Sequence, residues 1–215
     1  MSMSTLAEVR LLLLCGAIAG PLFIVIFLIL GASRPGYDAR RQPVSALAMG
    51  PLGWTQRMNF IVTAVLMLSG AVGLHLALTP RAGSTWGPVL VGVYAAGLIG
   101  AGVFVTDLTG LSAVAPAQAQ RSRPAVLHDL FSLIAFSALF IACFVFSYLF
   151  VAMRSVGWSI YSAVSGLLLG VGFVLFARGF SGAGPLAPIA GLLQRLTIAI
   201  GWMWVSVVAA HLLPA

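Results

Sequence analysis

Residues 126–153 read VLHDLFSLIAFSALFIACFVFSYLFVAM, an apolar stretch that has no charged side chain after Asp129. A helix needs about 20 consecutive apolar residues to cross the hydrocarbon core of a bilayer. The stretch is longer than that, and it lacks the alternation of polar and apolar residues that a membrane barrel strand requires. It therefore predicts a transmembrane helix.

Five further stretches of the chain meet the same criterion. They are Leu11–Ala32, Gln56–Leu78, Trp86–Val105, Trp158–Ala177 and Gly191–Leu213. Two of the connections between the six stretches are short, which is typical of antiparallel helix pairs. We predict an all-α polytopic membrane protein, a bundle of six transmembrane helices that forms a single domain over residues 1–215.

The composition argues against a soluble protein. Hydrophobic residues make up 61% of the chain, charged residues make up 7%, and the mean hydropathy is +1.11, whereas a soluble domain carries about 25% charged residues. The net charge of +7 comes from arginines spread over short loops, without any lysine. A nucleic-acid-binding protein would gather such charge on one soluble face. The basic excess instead favours anionic lipid headgroups or an anionic substrate as partners.

The sequence offers no pattern for a metal or a redox cofactor. Cys15 and Cys143 lie inside apolar stretches, where a cysteine is usually a small buried side chain. No cluster of cysteine and histidine has the spacing of zinc ligands, and there is no G-x-S-x-G nucleophile motif. We therefore predict no metal, no cofactor and no disulfide.

Polar residues gather at one end of the predicted bundle. The three longer connections, residues 33–55, 106–125 and 178–190, fall on one side of a six-helix protein, and both termini fall on the other. Three of the four acidic residues and eight of the 11 arginines belong to this long-loop end. Ionisable groups at membrane depth are costly and usually face the bundle interior or a wet cavity. We therefore expect a polar pocket that opens toward the long loops.

This pocket would combine catalytic and substrate-binding groups. The candidate catalytic residues are Asp107, His128 and Asp129, because an imidazole exchanges protons near neutral pH and a carboxylate can orient it. The candidate substrate-binding residues are Tyr37, Gln56, Arg57, Asn59, Gln194 and Arg195. Adjacent helical residues point about 100° apart, so His128 and Asp129 cannot face the same spot. We expect His128 to face the cavity, Asp129 to act as a brace or first-turn anion, and Asp107 to contact the ligand or His128.

Structural roles remain open for several of the same residues. Asp129 could cap a helix start, Arg195 could extend to the headgroups, and Asp107 could pair with Arg195. The segment RRQPVSALAMG, residues 40–50, could be a re-entrant lid over the pocket or an ordinary interfacial loop, and the interfacial loop is the favoured interpretation.

Small residues recur every four positions in three of the spans. They are Gly16 and Gly20 in the first span, Gly92, Ala96 and Gly100 in the third, and Ser162, Gly166 and Gly170 in the fifth. This spacing places small residues on one helix face and lets neighbouring backbones approach closely. It favours packing inside the bundle over contacts between copies of the chain, although it leaves the oligomeric state undetermined.

Several motifs occur in an order that resembles a known family. They are RPGYDARRQPVSAL at 34–47, GW at 53–54, WGP at 86–88, GAGVFVTD at 100–107, LHDLFSL at 127–133 and LLQRLTI at 192–198. Together they resemble the bacterial and archaeal membrane family catalogued as domain of unknown function 998, from the first span to the sixth. The resemblance implies a six-helix integral protein of a bacterial cell membrane, and it implies no assigned activity.

Three kinds of function are compatible with the sequence. The first is an intramembrane enzyme that uses acid–base, non-redox chemistry on a lipid or isoprenoid substrate, such as hydrolysis, isomerisation or cyclisation. The second is a lipid-binding protein or transporter that uses the same polar cluster for a headgroup or for protons. The third is a non-catalytic membrane scaffold or sensor. The arginine distribution favours a cytoplasmic location for the long loops.

Overall fold

The computed structural model describes residues 3–79, 85–107, 121–182 and 184–213. It contains six α-helices: α1 (Met3–Ser33), α2 (Gly53–Leu78), α3 (Trp86–Val103), α4 (Arg123–Ala152), α5 (Val156–Phe180) and α6 (Ala190–His211). All six are long and apolar enough to cross a membrane, so the predicted all-α, six-helix class is confirmed. Most of the predicted connections 79–85 and 106–125 lies outside the described residues.

Two helix boundaries differ from prediction in ways that affect the site. Helix α4 begins at Arg123 rather than near residue 126, because Ser122 accepts a hydrogen bond from the Ala125 amide and a proline follows at the first turn. Asp129 therefore lies in the second turn, and the prediction of a first-turn anion is wrong. Helix α3 ends at Val103, so Asp107 lies in the non-helical segment that follows it.

The six helices form a closed ring. Each helix packs against its neighbours in the sequence, and α1 closes the ring against α6. Gly20 lies at this closure, because a Cβ atom on it would be 2.7 Å from the carbonyl oxygen of Trp202 in α6. Gly16 lies between both neighbours of α1, since a Cβ atom on it would be 3.0 Å from the Cα of Gly70 in α2 and 3.4 Å from the Cβ of Ala209 in α6. The small-residue face predicted for α1 is therefore a packing face.

The corresponding prediction for α3 is wrong in part. Ala96 is exposed, and a Cβ atom on Gly92 would meet nothing within 4 Å. The buried face of α3 instead includes Gly97 and Gly100, which pack against Ala135 and Phe131 of α4. Four-residue spacing identifies a face of a helix, but only the position of the neighbouring helices decides whether that face is buried.

The connection between α1 and α2 folds into the long-loop end of the ring. We call residues 34–49 the plug. It contains a short 3₁₀ helix, Val44–Ala48, which contacts α1, α2 and α6, and Val44 and Leu47 are almost completely buried. The segment covers the end of the ring, as the lid interpretation expects, and it is amphipathic, as the interfacial-loop interpretation expects. Its apolar residues pack into the bundle and leave the arginines 40 and 41 exposed.

Candidate functional site

The ring encloses a cavity of about 360 Å³ beneath the plug. All six helices and the plug contribute to its wall. The inner part is apolar and mostly aromatic, and is formed by Phe23, Phe60, Tyr94, Leu98, Phe136, Phe173, Phe176, Ile198 and Trp202. The polar lining residues are Ser45, Thr106, Asp107, Arg121, His128, Asp129, Ser132 and Gln194. The cavity therefore combines one apolar region and one polar region in the same space.

His128 lines this cavity, as predicted, and is only 5% exposed. Its Nδ1 atom lies 2.9 Å from the carbonyl oxygen of Ala101 and 3.0 Å from that of Phe104. Both partners can only accept a hydrogen bond, so in the neutral ring Nδ1 carries the proton and Nε2 is the acceptor. These carbonyls come from the last turn of α3 and the residue after it, where carbonyl groups lack helical partners.

Asp107 lines the cavity but is bound to the start of α4. Its two carboxylate oxygens accept hydrogen bonds from the Ser122 amide at 2.7 Å and the Ser122 hydroxyl at 2.9 Å. Within the described ranges, no hydrogen bond joins Asp107 to His128 and no ion pair joins it to Arg195. We expected Asp107 to contact His128, but backbone carbonyl groups occupy the Nδ1 side of the His128 ring instead.

Asp129 forms an ion pair with Arg121, and both side chains are roughly half-exposed. This agrees with the expectation that Asp129 is a brace. The pair lies at the polar part of the cavity wall and links the residues before α4 to the second turn of that helix. Because the pair is exposed, its contribution to stability is small.

The two carboxylates give a prediction about stability. Replacing Asp107 with asparagine removes a charge-assisted acceptor that holds Ser122, and we expect unfolding in detergent to become easier by about 1 kcal/mol. Asp129→Asn is the matched control, with an expected change below about 0.5 kcal/mol because its partner is a solvent-exposed arginine. Denaturant unfolding of both variants measures this difference, and an equal or larger loss for Asp129→Asn would contradict it.

Arg195 holds the plug in place rather than lining the cavity. Its Nη1 atom donates to the carbonyl oxygens of Ala39 at 2.6 Å, Gln42 at 2.9 Å and Gly191 at 2.9 Å. Its Nη2 atom donates to the hydroxyl of Tyr37. The guanidinium is thus occupied by protein atoms, and its role in substrate binding stays a prediction.

Tyr37 and Gln194 complete the attachment of the plug. The Tyr37 hydroxyl donates to the carbonyl oxygen of Pro43 at 2.9 Å. Burial raises the pKa of the Tyr37 phenol, although the neighbouring Arg195 acts in the opposite direction, which helps to keep the hydroxyl protonated as a donor. Gln194 lines the cavity, and its Oε1 accepts from the Val44 amide at 2.9 Å. Of these two residues, Gln194 lines the cavity, whereas Tyr37 attaches the plug and its role in substrate binding stays a prediction.

The three candidates on α2 do not line the cavity. The Asn59 side-chain amide donates to the carbonyl oxygen of Phe23 at 3.2 Å and to Gln56 Oε1 at 3.3 Å, so both residues lie buried against α1. Arg57 donates to the carbonyl oxygens of Gly102 and Val103 at 3.2 and 3.3 Å. Arg57 therefore satisfies carbonyl groups at the end of α3, and its contact with a substrate stays a prediction.

The aromatic wall of α5 and the role of Arg34 were not predicted from the sequence. Phe173, Phe176 and Phe180 line the cavity, and their spacing of three and four residues is the signal that could have identified them. Arg34 donates to the carbonyl oxygens of Ala46, Leu47 and Met49 at the end of the 3₁₀ helix.

Arginine positions give less information about membrane orientation than their number suggests. Arg34, Arg57 and Arg195 all bind backbone carbonyl groups of the protein. Without these three, five arginines remain at the long-loop end against three at the other end. The cytoplasmic location of the long loops thus stays a prediction with narrower support.

The family comparison covers nearly the whole chain. The model of a family described as "Protein of unknown function (DUF998)" matches residues 17–211. This range includes all six helices, at least in part, together with the plug and every residue of the cavity wall. No curated protein and no solved structure matches the chain.

Proposed function

The chain belongs to the DUF998 family, and from this premise we propose that it binds an amphiphilic lipid or isoprenoid in the six-helix cavity. The observation that carries the proposal is the division of one cavity into an aromatic region and a polar region. Ligand pockets are typically apolar with a few convergent polar groups, and have volumes of roughly 300–1,000 Å³. The cavity lies at the small end of that range and suits a ligand with a hydrocarbon chain.

Polar contacts for the head of this ligand come from four residues. His128 offers the Nε2 atom as an acceptor, because its Nδ1 is occupied. Ser45 and Ser132 line the cavity with hydroxyl groups, and Arg121 brings a cation that is paired with Asp129. A head that carries hydroxyl groups suits this set, because Nε2 of His128 can accept a hydrogen bond and the serine hydroxyl groups can both donate and accept.

A cavity-filling variant tests the binding. Ser132 lies one turn after His128 and lines the cavity, so Ser132→Phe places a ring where the ligand would lie. Protein purified from membranes in mild detergent is analysed by native mass spectrometry, and we expect at least about tenfold less bound lipid in this variant. Ala96→Phe is the control, because Ala96 is exposed on the outside of α3. Equal amounts of bound lipid in the parent and in Ser132→Phe would contradict binding in the cavity. That result, or a parent without bound lipid, would favour a non-catalytic scaffold.

We further propose that His128 acts on the bound ligand as a general base. The specific support is its orientation: two carbonyl groups fix the Nδ1–H side of the ring, which leaves Nε2 as the proton acceptor. General acid–base chemistry requires a group of this kind within hydrogen-bond distance of the reacting proton. Neither Asp107 nor Asp129 assists it directly within the described residues, so the proposal rests on one histidine.

A conservative variant separates catalysis from binding. Asparagine at position 128 supplies an N–H donor for the α3 carbonyl groups but no equivalent of Nε2. We expect His128→Asn to remain folded and to retain lipid, and that lipid should differ from the lipid held by the parent in mass or in chromatographic retention time, because the substrate accumulates. Lipids extracted from both proteins are compared by liquid chromatography with mass spectrometry, which also separates isomers of equal mass. The same lipid in both would contradict an enzyme and leave a binding protein.

A further inference from the structure

A second groove, almost wholly apolar, runs along the outside of the α4–α5 pair. It has a volume of about 720 Å³, and its lining includes Phe136, Phe140, Ile141, Gly170, Phe173 and Val174. Ile141 and Val174 are about half-exposed, which places the groove on the surface that faces the hydrocarbon of the bilayer. Phe136 and Phe173 line both this groove and the central cavity. The two spaces are therefore neighbours that share these side chains.

Three phenylalanine rings separate the groove from the cavity. The ring centroids of Phe136 and Phe173 are 5.3 Å apart, those of Phe136 and Phe176 are 5.5 Å apart, and those of Phe173 and Phe176 are 5.0 Å apart. Leu133 lines the cavity and yet is 49% exposed, so the wall is thin here. Rotation of side chains is enough to open a barrier of this kind, and it is much faster than movement of helices.

The other half of the α4–α5 contact is closed more firmly. A Cβ atom on Gly166 would lie 2.9 Å from the Cβ of Cys143, so the two helices approach closely there. The hydroxyl groups of Ser147 and Ser159 are hydrogen-bonded at 3.0 Å. The α4–α5 contact is therefore tighter around Gly166, Ser147 and Ser159 than around the three phenylalanines, and the opening is expected beside the phenylalanines.

We propose that the α4–α5 contact is a lateral portal gated by Phe136, Phe173 and Phe176. The ligand would be a lipid with one long hydrocarbon chain, its head beside His128 and its chain passing through the gate into the outer groove. This inference rests on the proposed binding function and adds the route of entry and the chain length. A hydrocarbon chain that is longer than the cavity can be accommodated, because its end would lie in the apolar outer groove, which faces the hydrocarbon of the bilayer.

A reversible bridge across the gate tests the proposal. Cys15 and Cys143 are first replaced by alanine, and Phe136→Cys and Phe173→Cys are then introduced together. A short, reducible bifunctional thiosulfonate joins the two thiols in nanodiscs that have been loaded with a radiolabelled fatty acid or a radiolabelled polyprenol. Ser147→Cys with Ser159→Cys is the matched control, because this pair joins the same two helices away from the gate. Release of the label into excess vesicles is followed with time.

We expect the bridge at 136 and 173 to slow release about tenfold relative to the reduced pair. Reductant should restore the rate, and the bridge at 147 and 159 should leave it unchanged. The probe that is retained identifies the chain as acyl or polyprenyl. Equal rates with and without the gate bridge, in a protein that retains label, would overturn the portal and leave the binding function standing. Failure of the parent to retain either probe would overturn the binding function instead.

Discussion

Replacing Arg195 with alanine should release the plug and lower the free energy of unfolding by roughly 3–5 kcal/mol. Arg195 is only 8% exposed, and its guanidinium donates to three backbone carbonyl oxygens and to the Tyr37 hydroxyl. Loss of the side chain removes the guanidinium donors from the Ala39 and Gln42 carbonyl oxygens and from the Tyr37 hydroxyl in a part-buried place. Unfilled acceptors of this kind cost more than the net value of the bonds themselves.

Lysine at this position is not a conservative change. A planar guanidinium presents several donors in fixed directions, whereas an ammonium group presents its donors from one point. Arg195→Lys is therefore expected to fall between the parent and Arg195→Ala in thermal stability measured in detergent. Arg178→Ala is the matched control, because Arg178 is an exposed arginine in the last turn of α5. A loss in Arg178→Ala as large as in Arg195→Ala would show that the effect is one of net charge.

Release of the plug has a second expected consequence. Pro43, Val44 and Ser45 form part of the cavity wall, so Arg195→Ala should also expose the cavity to water. Limited proteolysis of residues 34–49 should become faster in this variant, while the helices remain protected. Unchanged proteolysis together with reduced stability would mean that Arg195 supports α6 alone.

Leucine at Gly20 should separate α1 from α6 and destabilise the ring by about 3 kcal/mol or more. A Cβ atom at this position would lie 2.7 Å from the Trp202 carbonyl oxygen and still closer to the Ser206 hydroxyl. That hydroxyl accepts from the Gly20 amide at 3.1 Å and donates to the Gly16 carbonyl oxygen at 3.2 Å. The neighbouring atoms belong mainly to a helix backbone, which cannot rotate away as the end of a side chain can.

The same substitution at Gly92 provides the control. A Cβ atom there would meet nothing within 4 Å, and leucine is a much better helix former than glycine. Gly92→Leu should therefore leave stability unchanged or raise it by up to about 1 kcal/mol. Thermal unfolding of both variants in the same detergent makes the comparison, and similar losses at the two positions would contradict the packing difference.

Residue type explains why some of the predicted site residues line the cavity and others lie away from it. His128, Asp107, Asp129 and Gln194 were predicted at the pocket and do line the cavity, because a polar group at membrane depth must avoid the lipid. Arg57, Arg195, Tyr37, Gln56 and Asn59 obey the same rule in a different way. Each makes at least one hydrogen bond to a protein group, although Gln56 Nε2 and Asn59 Oδ1 are buried without a partner among the described residues. A backbone carbonyl satisfies an arginine as well as a ligand would.

The sequence by itself determined the six spans, the polar end and the separation of His128 from Asp129, because apolar length and helical geometry are local properties of the chain. Only the tertiary structure decided which partner each polar side chain has. Backbone carbonyl groups hold His128, Arg57 and Arg195. Every residue has a carbonyl group, so the sequence does not show which of them lack a helical partner at the end of a helix or in the plug. The cavity arises in the same way, since its walls come from six helices and its volume depends on how closely their backbones approach.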